Sequence, residues 1–187
     1  MWSRVGYTLE MEEQPTLLVR DPLVPWKKEG DTFSLTEKDG TQTKMQIMKV
    51  ENAVTLAKEF GFNLQRDIPA YYLNTAPSKT ANGAYVDRLD ALLFYSGTSE
   101  ITKRHEIIHA IEFRQEVTQE LKTFFEKIKD IFPDGIEKDG LTFFNYRKDI
   151  HEFIADGYTH PLFISVLKEH NLYDEFLAVT KYLNVFI

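Results

Sequence analysis

Residues 104–109 read Arg-His-Glu-Ile-Ile-His, a His-Glu-x-x-His motif in a segment whose pattern predicts a helix. Side chains four residues apart share one face of a helix, so His105 and His109 can bind a single Zn²⁺. The carboxylate of Glu106 lies beside the first His, where it can take a proton from a metal-bound water. The motif therefore predicts a zinc hydrolase, against the alternative of a surface helix with two solvated His.

The composition predicts one folded domain over residues 1–187, because the chain is 43% hydrophobic and 13% aromatic. A net charge of −7 argues against nucleic acid and anionic membrane surfaces as partners. The chain contains no Cys, so a metal site has to use His, Asp and Glu.

Targeting signals are not evident in the sequence. The N-terminal residues 1–7 lack the apolar core of a secretory signal, and polar residues interrupt every apolar run before transmembrane length. We expect neither a signal peptide nor a transmembrane segment. The compartment stays open between the cytoplasm and export by a non-classical route.

Strand patterns fill residues 1–97, together with one helix predicted over 51–60. Asp39-Gly40 separates two alternating segments and indicates a hairpin. The continuous apolar run at 91–95 is typical of a central strand. The predicted strands are residues 16–20, 32–36, 43–48, 70–73, 85–87 and 91–95.

Helical patterns dominate residues 98–187, and Ser99 is a candidate N-cap for the motif helix. Strands followed by helices indicate an α+β fold, with the metal site in the helical half. The further helices are predicted at residues 117–132, 150–158, 162–170 and 173–185.

A catalytic zinc site needs a third protein ligand and one position left for water. Glu152 and Asp156 are four residues apart on a predicted helix, so one can bind the metal while the other accepts a hydrogen bond from a motif His. His151 points about 100° away from that face and is the less favoured alternative. The downstream candidates are His151, Glu152, Asp156, His160 and His170.

Residues 141–156, which read Leu-Thr-Phe-Phe-Asn-Tyr-Arg-Lys-Asp-Ile-His-Glu-Phe-Ile-Ala-Asp, resemble the catalytic end of the zinc endopeptidases typified by anthrax toxin lethal factor. That family has His-Glu-x-x-His, then a Tyr on a loop, then a helix reading roughly Glu-Phe-x-Ala-Glu. The resemblance covers residues 92–187. It implies a zincin-like fold, one Zn²⁺ per chain, a peptide or protein substrate, and members that are secreted, attached to toxins or associated with phages.

The resemblance also implies roles for individual residues. His105, His109 and Glu152 would be the zinc ligands, as in gluzincins, and Glu106 the general base. Asp156 would stand where the family usually has a Glu that holds a ligand. Tyr146 would steady the oxyanion, or else be a core aromatic beside Phe143 and Phe144.

Several alternatives to a peptidase remain at this point. They are a catalytically inactive zincin-like binding, toxin or regulatory module, a zinc hydrolase of another bond, and a structural domain with a chance motif. For a peptidase, the strand at 91–95 or the one at 85–87 is expected to offer its edge to an extended peptide.

Overall fold

A computed structural model of the chain describes residues 26–187. Eight strands form a six-stranded sheet and a separate two-stranded hairpin. The predicted strand at 16–20 lies outside the described residues. The strands are β1 (Trp26–Glu29), β2 (Thr32–Thr36), β3 (Gln42–Asn52), β4 (Pro69–Leu73), β5 (Ala84–Val86), β6 (Ala91–Tyr95), β7 (Ile136–Lys138) and β8 (Leu141–Phe143).

The main sheet is mixed and has the strand order β1-β2-β3-β4-β6-β5. Strands β4 and β6 pair in parallel, and the other neighbours pair antiparallel. The predicted hairpin is confirmed: β2 and β3 pair antiparallel, and Gly40 in their turn has φ of +85°. Strand β6 lies between β4 and β5, which makes β5 the edge on the side of the motif helix.

Six α-helices lie within residues 26–187, and five of them follow the sheet, so the α+β organisation is confirmed. Within the same residues, no helix has the length and apolar character needed to cross a membrane. The helices are α1 (Ala53–Glu59), α2 (Glu100–Glu112), α3 (Gln119–Ile131), α4 (Ile150–Thr159), α5 (Pro161–Glu169) and α6 (Tyr173–Thr180).

Two hydrophobic clusters cover the two faces of the sheet. Leu92 and Phe94 of β6 belong to the larger cluster, which also contains Ile107 and Ile108 of α2. Leu93 points to the other face and joins the smaller cluster. Because β6 is buried on both faces, its sequence is a continuous apolar run, as the prediction of a central strand required.

Helix α4 packs against α2 and comes very close to α6. A Cβ on Gly157 would lie 2.1 Å from the Phe176 ring, so only glycine permits this approach. The approach keeps α4 buried along most of its length, beside the helix that carries the motif.

Several predicted boundaries shift by one or more residues, and three strands were missed. Asn52 is the N-cap of α1, because its side chain accepts from the amides of Val54 and Thr55, so the helix begins at Ala53 rather than at residue 51. The last helix ends at Thr180 and continues as a 3₁₀ turn. Strands β1, β7 and β8 were not predicted, since each has only three or four residues and no long alternation.

Candidate metal centre

Helix α2 begins where the sequence predicted, because Ser99 accepts a hydrogen bond from the amide of Thr102. Its second half is buried on all sides. Ile107 and Ile108 enter the core, whereas His105 and His109 face α4 across a contact that includes Glu152. The helix thus holds two imidazoles in a place from which water is largely excluded.

Three donor atoms from α2 and α4 form a small triangle. The Nε2 atoms of His105 and His109 are 3.1 Å apart. Oε1 of Glu152 lies 2.8 Å from Nε2 of His105 and 3.4 Å from Nε2 of His109. All three side chains are buried, and they lie close enough together to bind one metal ion.

The size of this triangle fits a tetrahedral zinc site. With ligand distances of about 2.0–2.1 Å, two donors of a tetrahedral zinc ion are about 3.3 Å apart. The three edges are 2.8, 3.1 and 3.4 Å, so they lie within about 0.5 Å of that value and two of them are shorter. Two imidazoles and one carboxylate also match the donor set of known catalytic zinc sites.

The remaining predicted ligand candidates lie elsewhere. Nδ1 of His151 contacts the carboxylate of Glu112 rather than the triangle. Nδ1 of His160 accepts from the amide of Phe163, and Nδ1 of His170 lies 3.0 Å from the carbonyl of Val166. The structure therefore brings Glu152 to the motif, and not His151, His160 or His170.

Asp156 stands behind His105, as the resemblance implied. Its Oδ1 lies 3.1 Å from Nδ1 of His105, which leaves Nε2 to face the triangle. Burial by itself lowers the pKa of His105, but the carboxylates of Glu152 and Asp156 raise that pKa to about 10. Burial would raise the pKa of Glu152, yet the two imidazoles hold it well below its usual range.

Asn145 is a site residue that the sequence reasoning missed. Its Nδ2 donates to Oε1 of Glu152 at 3.2 Å and to Oδ2 of Asp156 at 2.9 Å. One amide thus holds both acidic side chains of α4. The only sequence signal was a polar residue next to Tyr146 in an otherwise aromatic stretch, which does not distinguish it from an ordinary loop residue.

The carboxylate of Glu106 is fully buried, and only one of its two oxygens has a hydrogen-bond partner among the described residues. Its Oε1 accepts from the backbone amide of Tyr85 at 2.8 Å, and its Oε2 is buried with no hydrogen-bond partner. The Nε2 atom of His105 lies 3.9 Å from this oxygen, which is too far for a hydrogen bond. A buried oxygen of this kind, beside the three donors, is available to take a proton in the site.

The strand that holds Glu106 is itself anchored by a polar cluster. The hydroxyl of Tyr85 donates to Oδ1 of Asp90 at 2.6 Å, and Arg66 makes two hydrogen bonds to the same carboxylate. Arg66 also donates to the Tyr85 hydroxyl. This cluster fixes β5, and with it the amide that binds Glu106.

The Arg66–Asp90 pair leads to a pH-dependent stability prediction. Burial raises the pKa of Asp90, but the hydrogen bonds from Arg66 and Tyr85 outweigh it and hold that pKa below 3.8. The ionised carboxylate therefore stabilises the fold above pH 3.8, and its contribution is lost as the pH falls through the lower pKa of the folded state.

We expect Asp90→Asn to reduce the free energy of unfolding by about 1–2 kcal/mol at pH 7. Asn tolerates the φ of +48° at this position, so the backbone need not change. Urea denaturation from pH 7 down to pH 3 checks the prediction, and the difference from the parent protein should shrink below about pH 4. Asp130→Asn, on an exposed position of α3, is the matched control; a constant difference at every pH would contradict the prediction.

Tyr146 lies in the core, and the structure does not place its hydroxyl in the metal triangle. The hydroxyl donates to the carbonyl of Phe132 at 3.1 Å, and the ring stacks on Phe163 with centroids 4.7 Å apart. Its side chain is completely buried. This position fits the core aromatic and gives no support to the oxyanion role, because the only donor of the phenol is already used.

Tyr146→Phe tests the two interpretations. If Tyr146 is a core aromatic, removal of its hydroxyl should lower the free energy of unfolding by about 0.5–1.5 kcal/mol. The loss should lie in the lower part of that range, since Arg147 also donates to the carbonyl of Phe132. Thermal unfolding measures this, and zinc-dependent peptide cleavage should stay unchanged. A fall in cleavage of 10²-fold or more would restore the catalytic role.

Comparisons with family models, curated proteins and solved structures find no match to this chain. The resemblance to lethal factor therefore rests on residues 104–109 and 141–156 themselves. The geometry of the site has to carry the functional argument.

Proposed function

We propose that the protein is a zinc-dependent endopeptidase with a zincin-like arrangement of the gluzincin type. The observation that carries the proposal is the triangle of His105, His109 and Glu152, with the unpartnered oxygen of Glu106 beside it. With both His neutral, the two imidazoles and the carboxylate would hold Zn²⁺ with a net charge of +1, and this donor set is the one that hydrolytic zinc sites use.

Each side chain of the site has a separate task in this proposal. When bound, zinc activates water for attack on a polarised carbonyl. Glu106 receives the proton of the attacking water on Oε2 and passes it to the leaving amine, while the amide of Tyr85 holds Oε1 in place. Asp156 keeps the His105 ring turned so that Nε2 faces the metal. Asn145 steadies Glu152 and Asp156 together.

A peptide substrate would lie along the edge of the sheet nearest the motif. Strand β5 is that edge, whereas β6, the other strand considered, is paired on both sides and cannot accept a further strand. The expectation for residues 91–95 is therefore wrong. The strand predicted at 85–87, which lies at Ala84–Val86, remains. The amide of Tyr85 in this strand donates to Glu106, so a peptide bound along the strand would lie near the base.

The experiment that tests the proposal combines metal analysis with peptide cleavage. The purified protein should contain one zinc per chain and cleave members of a peptide library. A chelator should abolish cleavage, and added Zn²⁺ should restore it. Absence of zinc binding would refute the metal site.

One observation favours a second candidate, a zinc-binding module without peptidase activity. The hydroxyl of Tyr146 is engaged in the core, so the tyrosine that would steady an oxyanion does not serve the site. Stoichiometric zinc with no cleavage across the library would support this candidate and refute the endopeptidase.

A further inference from the structure

We propose that Glu112 is a positioning residue for the metal ligand His109, and that His151 in turn holds Glu112. The proposal rests on the metal site proposed above, but it concerns residues that the hydrolytic mechanism does not use. It assigns a role to His151, which the sequence placed next to Glu152 and the structure separates from the donor triangle.

The first observation is an unpartnered nitrogen. Nδ1 of His109 is buried and has no hydrogen-bond partner among the described residues. The nearest acidic oxygen is Oε1 of Glu112, 3.8 Å away and one turn further along α2. That distance exceeds a hydrogen bond by less than about 1 Å, and the proposal requires the ring or the carboxylate to move by that amount when the metal binds.

The second observation is that the Glu112 carboxylate is itself held. Nδ1 of His151 lies 2.7 Å from its Oε2 and 3.0 Å from its Oε1. The Glu112 side chain is only 7% exposed, whereas that of His151 is 32% exposed. Such a buried carboxylate needs partners to remain in the interior, and α4 supplies one of them.

The chemistry of a metal-binding imidazole connects the two observations. A His that binds zinc through Nε2 carries its proton on Nδ1, and this N–H nearly always donates to a carboxylate, carbonyl or water. For His105 the acceptor is Asp156 on α4. In this proposal the acceptor for His109 is Glu112 on α2, so each motif His has its own carboxylate behind it, one from α4 and one from α2.

The residue three positions after the motif thus belongs to the metal site. Removal of a carboxylate of this kind typically weakens metal binding by about 10–100-fold. Because His151 acts through Glu112, its removal should have a smaller effect in the same direction. An Asn at position 151 keeps an amide nitrogen at the distance from the backbone where Nδ1 of His151 lies, and it should restore part of the loss.

Zinc affinity, measured by competition with a chelating dye, is the closing experiment. We expect Glu112→Gln to bind zinc at least about tenfold more weakly than the parent protein. Glu100→Gln is the matched control, because Glu100 lies on the same helix with its side chain 66% exposed, and it should leave the affinity unchanged. His151→Ala should weaken binding, and His151→Asn should recover part of it.

A second readout separates positioning from general damage to the fold. In the zinc-bound parent protein, nitrogen-15 NMR should show His109 protonated on Nδ1, with that proton protected from exchange. Glu112→Ala, which leaves no acceptor behind His109, should lose the protection at His109 and keep the signals of His105. If the Glu112 variants fail to fold by circular dichroism, the His151→Ala and His151→Asn pair carries the test on a partly exposed residue.

The outcomes distinguish this inference from the proposed function. Equal zinc affinity in the parent protein, Glu112→Gln and His151→Ala would overturn the role of Glu112. A weaker affinity in Glu112→Gln alongside a parent protein that binds zinc but cleaves no peptide would support this inference and refute only the endopeptidase. No zinc binding in the parent protein would overturn both.

Discussion

Glu106→Gln should retain one zinc per chain and lose peptide cleavage by about 10²–10⁴-fold, the range that general-base catalysis contributes. The amide of Gln has the same shape as the carboxylate and can still accept from the Tyr85 amide. It cannot take a proton near neutral pH. Since Glu106 is not one of the three donors of the triangle, the metal affinity should change little.

Initial rates on a cleaved peptide, with zinc content measured on the same samples, check this expectation. Glu100→Gln is again a suitable control, since it removes an exposed carboxylate from the same helix. Full activity in Glu106→Gln would contradict the role of Glu106 as the general base. Loss of zinc in that variant would instead place Glu106 among the groups that bind the metal.

Glu152→Ala should cause the largest loss of zinc affinity among single substitutions on α4. The substitution removes one of the three donors, and the only one with a negative charge. Loss of a residue that only orients a ligand typically weakens metal binding by about 10–100-fold, and the loss here should be larger. The substitution also removes the carboxylate that lies 2.8 Å from Nε2 of His105 and helps to raise the pKa of that His. The remaining two His should bind zinc too weakly to support cleavage.

His151→Ala is the matched comparison, because it removes the neighbouring side chain on the same helix turn. It should weaken zinc binding less than Glu152→Ala does, since His151 contacts Glu112 and not the triangle. Metal analysis and dye competition on both variants measure the difference. A larger loss in His151→Ala would contradict the assignment of the third ligand.

Local signals were enough to predict several elements in both halves of the chain. The cap at Ser99, the apolar run of β6 and the turn at Gly40 each depend on a few neighbouring residues, and the structure has all three. The short strands were not predicted, because they contain too few residues for a periodic pattern. The hairpin of β7 and β8, with three residues in each strand, is the clearest case.

The residues of the site also fall into those that local spacing predicts and those that it does not. His105, Glu106 and His109 were identifiable because their spacing along one helix already places them together. Glu152 was favoured over His151 by helix geometry, and the distances across α2 and α4 agree with that preference. Asn145 and Glu112 were missed. The contacts of Asn145 depend on how the residues before α4 fold back onto that helix, and Glu112 meets His151 only where α2 and α4 pack together.

The sequence alone determined which residue types could bind a metal and that two of them share a helical face, since both follow from i to i+4 spacing. The tertiary structure alone decided which side chains complete the site and which do not. Packing of α4 against α2 brought Glu152 within 2.8 Å of His105, directed His151 to Glu112 and left Tyr146 in the core. These choices depend on how two helices meet, and helix periodicity carries no information about a partner helix.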